Sequence, residues 1–162
     1  MEDIIKLKTK EGTEIEIPKK AGELSELIKG AINDYPNEQV FPLGEVDEKN
    51  AEKVKEFLVH FNGTEPKEIE KPLTSNEMKK ITDEWSADFI DKMPLDDLIN
   101  LTTTANYMGI NSLLDLCCAK IASLCKDKSE EEIFKTFNIT ETFTDEEKNK
   151  IIEENKWIAE NL

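Results

Sequence analysis

Thr104-Ala105-Asn106-Tyr107-Met108-Gly109-Ile110-Asn111-Ser112-Leu113-Leu114-Asp115-Leu116-Cys117 reads as two helices separated by a one-residue stop. Gly109 suits a left-handed C-cap, because glycine takes a positive φ without a Cβ penalty. Upstream, Pro94 fits the first turn of a helix, and Asp96 and Asp97 favour its positive end. The first helix therefore starts near Met93-Pro94-Leu95 and ends at Tyr107-Met108. Asn111-Ser112 restarts the chain as a second helix that continues to Cys125 and is the most apolar segment of the protein. Its apolar positions include Leu113, Leu114, Leu116, Cys117, Cys118, Ala119, Ile121, Ala122, Leu124 and Cys125. That is wider than the single stripe an amphipathic surface helix needs. One face serves a core, and the other needs a cover from the C-terminal appendage, a partner, or both.

The appendage follows directly. Ser129 with Glu132 and Thr144 with Glu147 are two capping boxes, in which a hydroxyl and a glutamate three residues on satisfy each other's backbone amides. Each opens a short helical segment with few apolar residues: Ile133, Phe134, Phe137 and Ile139, then Ile151, Ile152 and Trp157. Segments this short do not fold alone, since chains below ~40 residues seldom bury enough. A well-capped, weakly cored appendage is expected to be half of an interface.

In the other direction, Ile5, Leu7 and Thr9 alternate with lysines, Glu11-Gly12 turns, and Thr13-Glu14-Ile15-Glu16-Ile17 runs to Pro18, a β-hairpin pattern. Leu24, Leu27, Ile28, Ala31 and Ile32 then fall at helical spacing, and Val40-Phe41-Pro42-Leu43 reads as a short strand. Asp47 is placed to cap a helix whose Val54, Phe57, Leu58 and Phe61 share a face. Residues 62–75, with Gly63, Pro66 and Pro72, read as an exposed loop. Met78, Ile81, Trp85 and Phe89 resume the helical period. A hairpin, a helix, a short strand and then several helices predict an α/β fold with a small sheet flanked by helices.

Composition narrows the function classes. The 162 residues carry a net charge of −15, and all 21 basic residues are lysine. An acidic surface without arginine forks argues against nucleic acid and against anionic membranes. Met1-Glu2-Asp3 is acidic with no apolar signal core behind it, so no secretory leader is expected. Cys117, Cys118 and Cys125 share one apolar stretch, which suits neither a disulfide framework nor a zinc ligand set. They are expected to be reduced core thiols of a cytoplasmic or nuclear protein. His60, the one histidine, sits at a helix end and reads as a surface residue; no phosphate loop, glycine fingerprint or nucleophile elbow is present. No catalytic residue, metal or cofactor is expected.

Beyond these signals, the run 104–117 resembles the "ANYLxIxxLLD" helix pair of BTB/POZ-fold adaptors. Ser129-Glu130-Glu131-Glu132-Ile133 with Lys135-Thr136-Phe137-Asn138-Ile139 resembles the "EEIRKTFNI" element of the Skp family, the adaptors of cullin-RING ubiquitin ligases. Phe143-Thr144-Asp145-Glu146-Glu147 and Glu154-Asn155-Lys156-Trp157 match that family's closing "DFTxEEE" and "ENxW", and the likeness reaches back to the hairpin.

The resemblance implies a BTB/POZ-fold domain over 1–127, a two-helix extension over 128–162, and a non-enzymatic bridge between a cullin and F-box substrate receptors. The RING subunit and the ubiquitin-conjugating enzyme would be indirect partners. It would put Leu98, Ile99, Asn106, Tyr107 and Met108 on the cullin side. Leu114, Cys118, Ile121 and Ala122 would floor the F-box groove, closed by Ile133, Phe137, Ile139, Asn155 and Trp157. An unbound groove of that kind carries a tendency to weak homodimerisation.

Three departures stand out. Thr102-Thr103-Thr104 replaces the family's aliphatics and alanine, at a few tenths of a kcal/mol of helix propensity each, and is expected to make the cullin-side face more polar. Phe134 stands where arginine is common. The 62–75 loop is shorter and less acidic than in many relatives and is expected to touch neither interface. The rival readings are an elongin-C-like adaptor, which would lack the extension, and a self-associating BTB scaffold.

Overall fold

The computed structural model describes residues 3–140 and 143–159, and the chain divides into two compact units, Met1–Asp127 and Lys128–Leu162. Met1 and Glu2, which open the acidic N-terminus, lie outside the described residues.

In the first unit, β1 (Ile4–Lys8) and β2 (Glu14–Pro18) form an antiparallel hairpin with Ile5 opposite Ile17 and Leu7 opposite Ile15. Gly12 takes a φ of 92° in the turn, and the Thr13 N–H donates to Thr9 Oγ1 at 3.1 Å. A four-residue helix, α1 (Lys19–Gly22), follows Pro18, and α2 (Glu26–Asp34) leads to β3 (Val40–Pro42), which joins β1 in parallel. The sheet order is β2-β1-β3. Period-two alternation places Ile5, Leu7, Ile15, Ile17 and Phe41 on the buried face and the lysines and glutamates on the other.

The longer part of the unit is helical: α3 (Glu48–Phe61), which packs on β2, then α4 (Met78–Ile81), α5 (Glu84–Asp91), α6 (Leu95–Met108), which packs on α3, and α7 (Asn111–Cys125), which packs on α6 and α5. The second unit holds α8 (Glu130–Thr136), α9 (Asp145–Glu154) and α10 (Lys156–Ala159). The result is the expected α/β architecture: a small three-stranded sheet flanked by helices, BTB/POZ-like, with a helical extension.

Two expectations change. Met78 and Phe89 do not share one helix: α4 ends before an extended Thr82, and Asp83 starts α5 by accepting from the Ser86 N–H at 2.9 Å and the Ser86 hydroxyl at 2.8 Å. A capping aspartate competes with helix continuation at that point. Burial pushes the Asp83 pKa up, but the Ser86 bonds outweigh it and hold the carboxyl below its usual value. The second change is in the 62–75 segment, which is not wholly exposed: Ile69 is 6% exposed and belongs to the core, and Leu73 packs against it.

Gly109 ends α6 with a φ of 62°, and a Cβ there would meet Glu26 Cβ at 2.9 Å. The close approach lets the Glu26 N–H donate to the Gly109 carbonyl at 3.2 Å. Ser25 caps α2, accepting from the Ile28 N–H, and donates its own hydroxyl to the Met108 carbonyl at 2.6 Å. The end of α6 is thereby fixed to the start of α2.

Candidate partner-binding surfaces

The inner stripe of α6 is Leu98, Leu101, Ala105 and Met108, all buried. Ile99, Asn106 and Tyr107 are exposed on its other side. Of the five residues implied for the cullin side, Leu98 and Met108 are 1% and 0% exposed. They offer no side-chain surface and instead hold up the face from beneath, because the i, i+3, i+4 pattern turns them to the core.

The threonines also act differently from expectation. Thr102, Thr103 and Thr104 donate to the carbonyls of Leu98, Ile99 and Asn100 at 2.7, 3.3 and 3.0 Å, each one turn back along α6. Their hydroxyls are directed to the helix's own backbone rather than to a partner. The α6 face is correspondingly less polar than three free hydroxyls would make it.

On α7, Leu113, Leu116, Cys117, Ala119 and Ser123 are buried. Leu114 and Ile121 are half-buried, and Cys118 and Ala122 are exposed. The four implied groove residues, 114, 118, 121 and 122, thus lie on the outer side of this helix at i, i+3 and i+4 spacing. Burial pushes the Cys117 thiol up to about 12, against a small opposing effect of its bond with Thr102, so it is an inert core group. Lys120 is tied to Asp91 at 2.8 Å, which anchors α7 to the end of α5.

Beside this face lies an apolar pocket of about 460 Å³, walled in part by Ile69, Pro72 and Leu73 from the 62–75 segment. Of these, the sequence reading marks only Pro72, as a loop residue, and gives Ile69 and Leu73 no role. The signal available was an apolar pair, Ile69 and Leu73, four residues apart in an otherwise polar stretch.

In the second unit α8 and α9 are both opened by capping boxes. At α8, the Ser129 N–H donates to Glu132 Oε2 at 2.8 Å, and the Glu132 N–H donates to Ser129 Oγ at 3.3 Å. The Ser129 N–H, with the Ser129 side chain second to it, holds the Glu132 carboxyl below its usual pKa. Its far end closes with Asn138 at a φ of 53°, the Ile139 N–H donating to the Phe134 carbonyl at 2.8 Å and the Asn138 N–H to the Lys135 carbonyl at 3.4 Å. That pair of bonds is a Schellman motif, with asparagine in the left-handed position.

At α9, the Thr144 N–H donates to Glu147 Oε2 at 2.8 Å and the Glu147 N–H to Thr144 Oγ1 at 3.2 Å. Asn155 Nδ2 donates to the Ile151 carbonyl at 2.8 Å, so this implied groove residue also terminates α9. Neither α8 nor α9 buries a residue. Ile133 and Phe137 are half-buried one turn apart, Ile139 is exposed, and Trp157 is 62% exposed. Two of the apolar side chains outside the implied set, Ile151 and Ile152, are exposed as well.

Among the described residues no group of histidine, cysteine, aspartate and glutamate is arranged to hold a metal ion. No described helix is long and apolar enough to cross a membrane.

Residues 111–158, from the first residue of α7 into α10, match the model of the Skp1 family, dimerisation domain. The chain is 42% identical over 156 residues to an S-phase kinase-associated protein 1 homolog of Tetrahymena thermophila, covering 96% of this chain and 94% of that one. The chain belongs to the Skp1 family. Within this Skp1-family chain the likeness also extends to E3 ubiquitin ligase complex SCF subunit sconC of Arthroderma benhamiae, 35% identical over 157 residues, covering 96% of this chain and 95% of that one. The sconC subunit of Aspergillus fumigatus is 33% identical over 157 residues, covering 96% of this chain and 98% of that one. The similarity thus takes in both the sheet-containing body and the capped extension.

Proposed function

We propose that this chain is the adaptor subunit of an SCF-type ubiquitin ligase, a non-catalytic bridge between a cullin and interchangeable F-box receptors in ubiquitin-dependent degradation. The observation that carries this reading is the C-terminal unit. It has two helices fully capped by their own residues, no buried residue in either, and an exposed Trp157, all in a segment that matches the Skp1 family. Helices preformed by their caps, with their apolar side chains unburied, suit docking onto a partner helix in a groove. Caps also lower the ordering entropy such docking must overcome.

On this reading Leu114, Cys118, Ile121 and Ala122 receive the F-box, together with Ile133, Phe137, Ile139, Asn155 and Trp157. Ile99, Asn106 and Tyr107, on the exposed side of α6, face the cullin. The RING subunit and the ubiquitin-conjugating enzyme are reached only through the assembled ligase. The unbound chain self-associates weakly through its exposed apolar residues, and it works in the cytoplasm and nucleus.

Co-purification with a recombinant F-box fragment tests the proposal, using the whole chain and a version ending at Asp127. The body keeps its buried core in that version, since among the described residues every buried hydrophobic one lies before Lys128. Tight 1:1 binding lost on truncation supports the adaptor role; a folded whole chain that binds no F-box rejects it.

A further inference from the structure

Residues 69–73 form a strap against α7. Ile69 is in the core, Leu73 packs against it, and Lys71 Nζ reaches Asp115 on α7 at 3.1 Å. The strap does not fill the space it bounds: the apolar pocket of about 460 Å³ remains between it and the helix. The floor is Cys118, Ala119 and Ala122, side chains small enough to give the pocket depth. Two of these, Cys118 and Ala122, are exposed and belong to the α7 face read above as the receptor groove. The pocket is therefore continuous with that groove.

Its rim adds a second constraint. Lys71 and Lys126, from separate segments, both line the opening of a chain whose net charge is −15. Each already meets a carboxylate, Lys71 with Asp115 at 3.1 Å and Lys126 with Asp127 at 3.6 Å. Exposed pairs of this kind are weak, so a partner carboxylate can take the place of either. A second copy of the chain competes only weakly for this pocket, because two bodies of charge −15 approach against mutual repulsion, which holds self-association to the weak kind proposed above.

We propose that the strap is a specificity wall of the receptor groove. An amphipathic helix of the F-box partner seats one bulky apolar side chain between Leu73 and the floor made by Cys118 and Ala122, with an acidic residue beside it near Lys71 and Lys126. This rests on the adaptor reading, and it assigns to the 62–75 segment a role in partner choice that its polar sequence does not announce.

The test titrates a recombinant F-box fragment into the whole chain and its Leu73→Ser variant, with a melting curve on each. The expected result is about tenfold weaker binding in the variant. Leu73→Cys provides a second readout that preserves a small apolar wall: alkylation at that position, resolved by peptide mass, should slow when the F-box fragment is bound. Unchanged affinity in Leu73→Ser, or alkylation of Leu73→Cys that the fragment does not slow, overturns the strap as a wall and leaves the adaptor reading standing. Slowing that depends on chain concentration alone assigns the pocket to a second copy and overturns the proposal. A wild-type chain that binds no F-box fragment overturns both readings.

Discussion

Helix α7 in the body and helices α8 and α9 in the C-terminal unit use apolar residues in opposite ways. Ile110 gives α7 no side-chain cap, yet the helix buries Leu113, Leu116, Cys117, Ala119 and Ser123. The two extension helices have reciprocal capping boxes and bury nothing. Tertiary packing makes up for a missing cap in the first case, since most helical stability in proteins comes from a buried face. In the second case local hydrogen bonds must do what packing does not. The difference is the one expected between a scaffold, which must be stable alone, and a docking element, whose apolar side chains must stay available to a partner.

The largest effect that can break this contrast lies in the body. Leu113→Ala, at a fully buried site, is expected to lower stability by about 2–5 kcal/mol through lost burial and a residual cavity. Ile152→Ala, at a site 66% exposed, is expected to change stability by less than about 0.5 kcal/mol. Urea unfolding of both variants checks the pair; a comparable loss in each would mean that the extension has a core after all.

Binding should show the reverse order. Trp157→Ala is expected to weaken F-box binding by about 2 kcal/mol or more while leaving unfolding of the body unchanged, because a large aromatic anchor dominates an interface of this type. Calorimetric titration decides it, and an unchanged affinity would remove Trp157 from the interface. The α6 face sharpens the comparison within the body itself. Tyr107→Ala is expected to cost about 1–2 kcal/mol in binding an N-terminal cullin fragment, with no effect on F-box affinity. The buried Leu98, by contrast, is expected to act on stability alone when truncated to alanine. If Leu98→Ala weakened cullin binding at unchanged stability, the division of α6 into inner and outer sides would be wrong.

Local signals are legible in the sequence and long-range ones are not. The hairpin turn at Gly12, the Asp47 cap, the stop at Gly109 and both capping boxes depend on residues within four positions of one another, so they are visible in one dimension. Asp83 was equally local, with Ser86 three residues on, but the apolar spacing of Met78, Ile81, Trp85 and Phe89 masked it. The burial of Leu98 and Met108 follows from their spacing with Leu101 and Ala105, whereas a motif match alone does not separate that buried stripe from the exposed one.

The strap leaves no local signal. Lys71 and Asp115 are 44 residues apart, and no cap, turn or period in 62–75 says that Ile69 enters the core.

Caps offer the finer tests. Ser129→Ala removes the acceptor for the Glu132 N–H and is expected to destabilise α8 by about 1 kcal/mol. With no core to compensate, helix content should fall across 130–136, whereas unfolding of the body stays as it was. Amide exchange in α8 reads this directly, and exchange as slow as in the unmodified chain would show that packing, not the cap, holds the helix.

Acidification applies the same test without mutation. Glu132 has a folded pKa below its usual value, so its contribution is fully present above the ordinary glutamate range and is lost as the pH falls through the lowered folded value. Protection of the α8 amides should therefore be flat from neutrality down to about pH 5 and decline below it. The Leu113 region of α7, whose buried residues include no carboxylate, should keep its protection over the first part of that decline. Glu132→Gln keeps an acceptor for the Ser129 N–H but carries no titrating charge, so its α8 exchange should lose the acid-dependent step. A step of the same size in that variant would show that Glu132 is not the group whose protonation loosens α8.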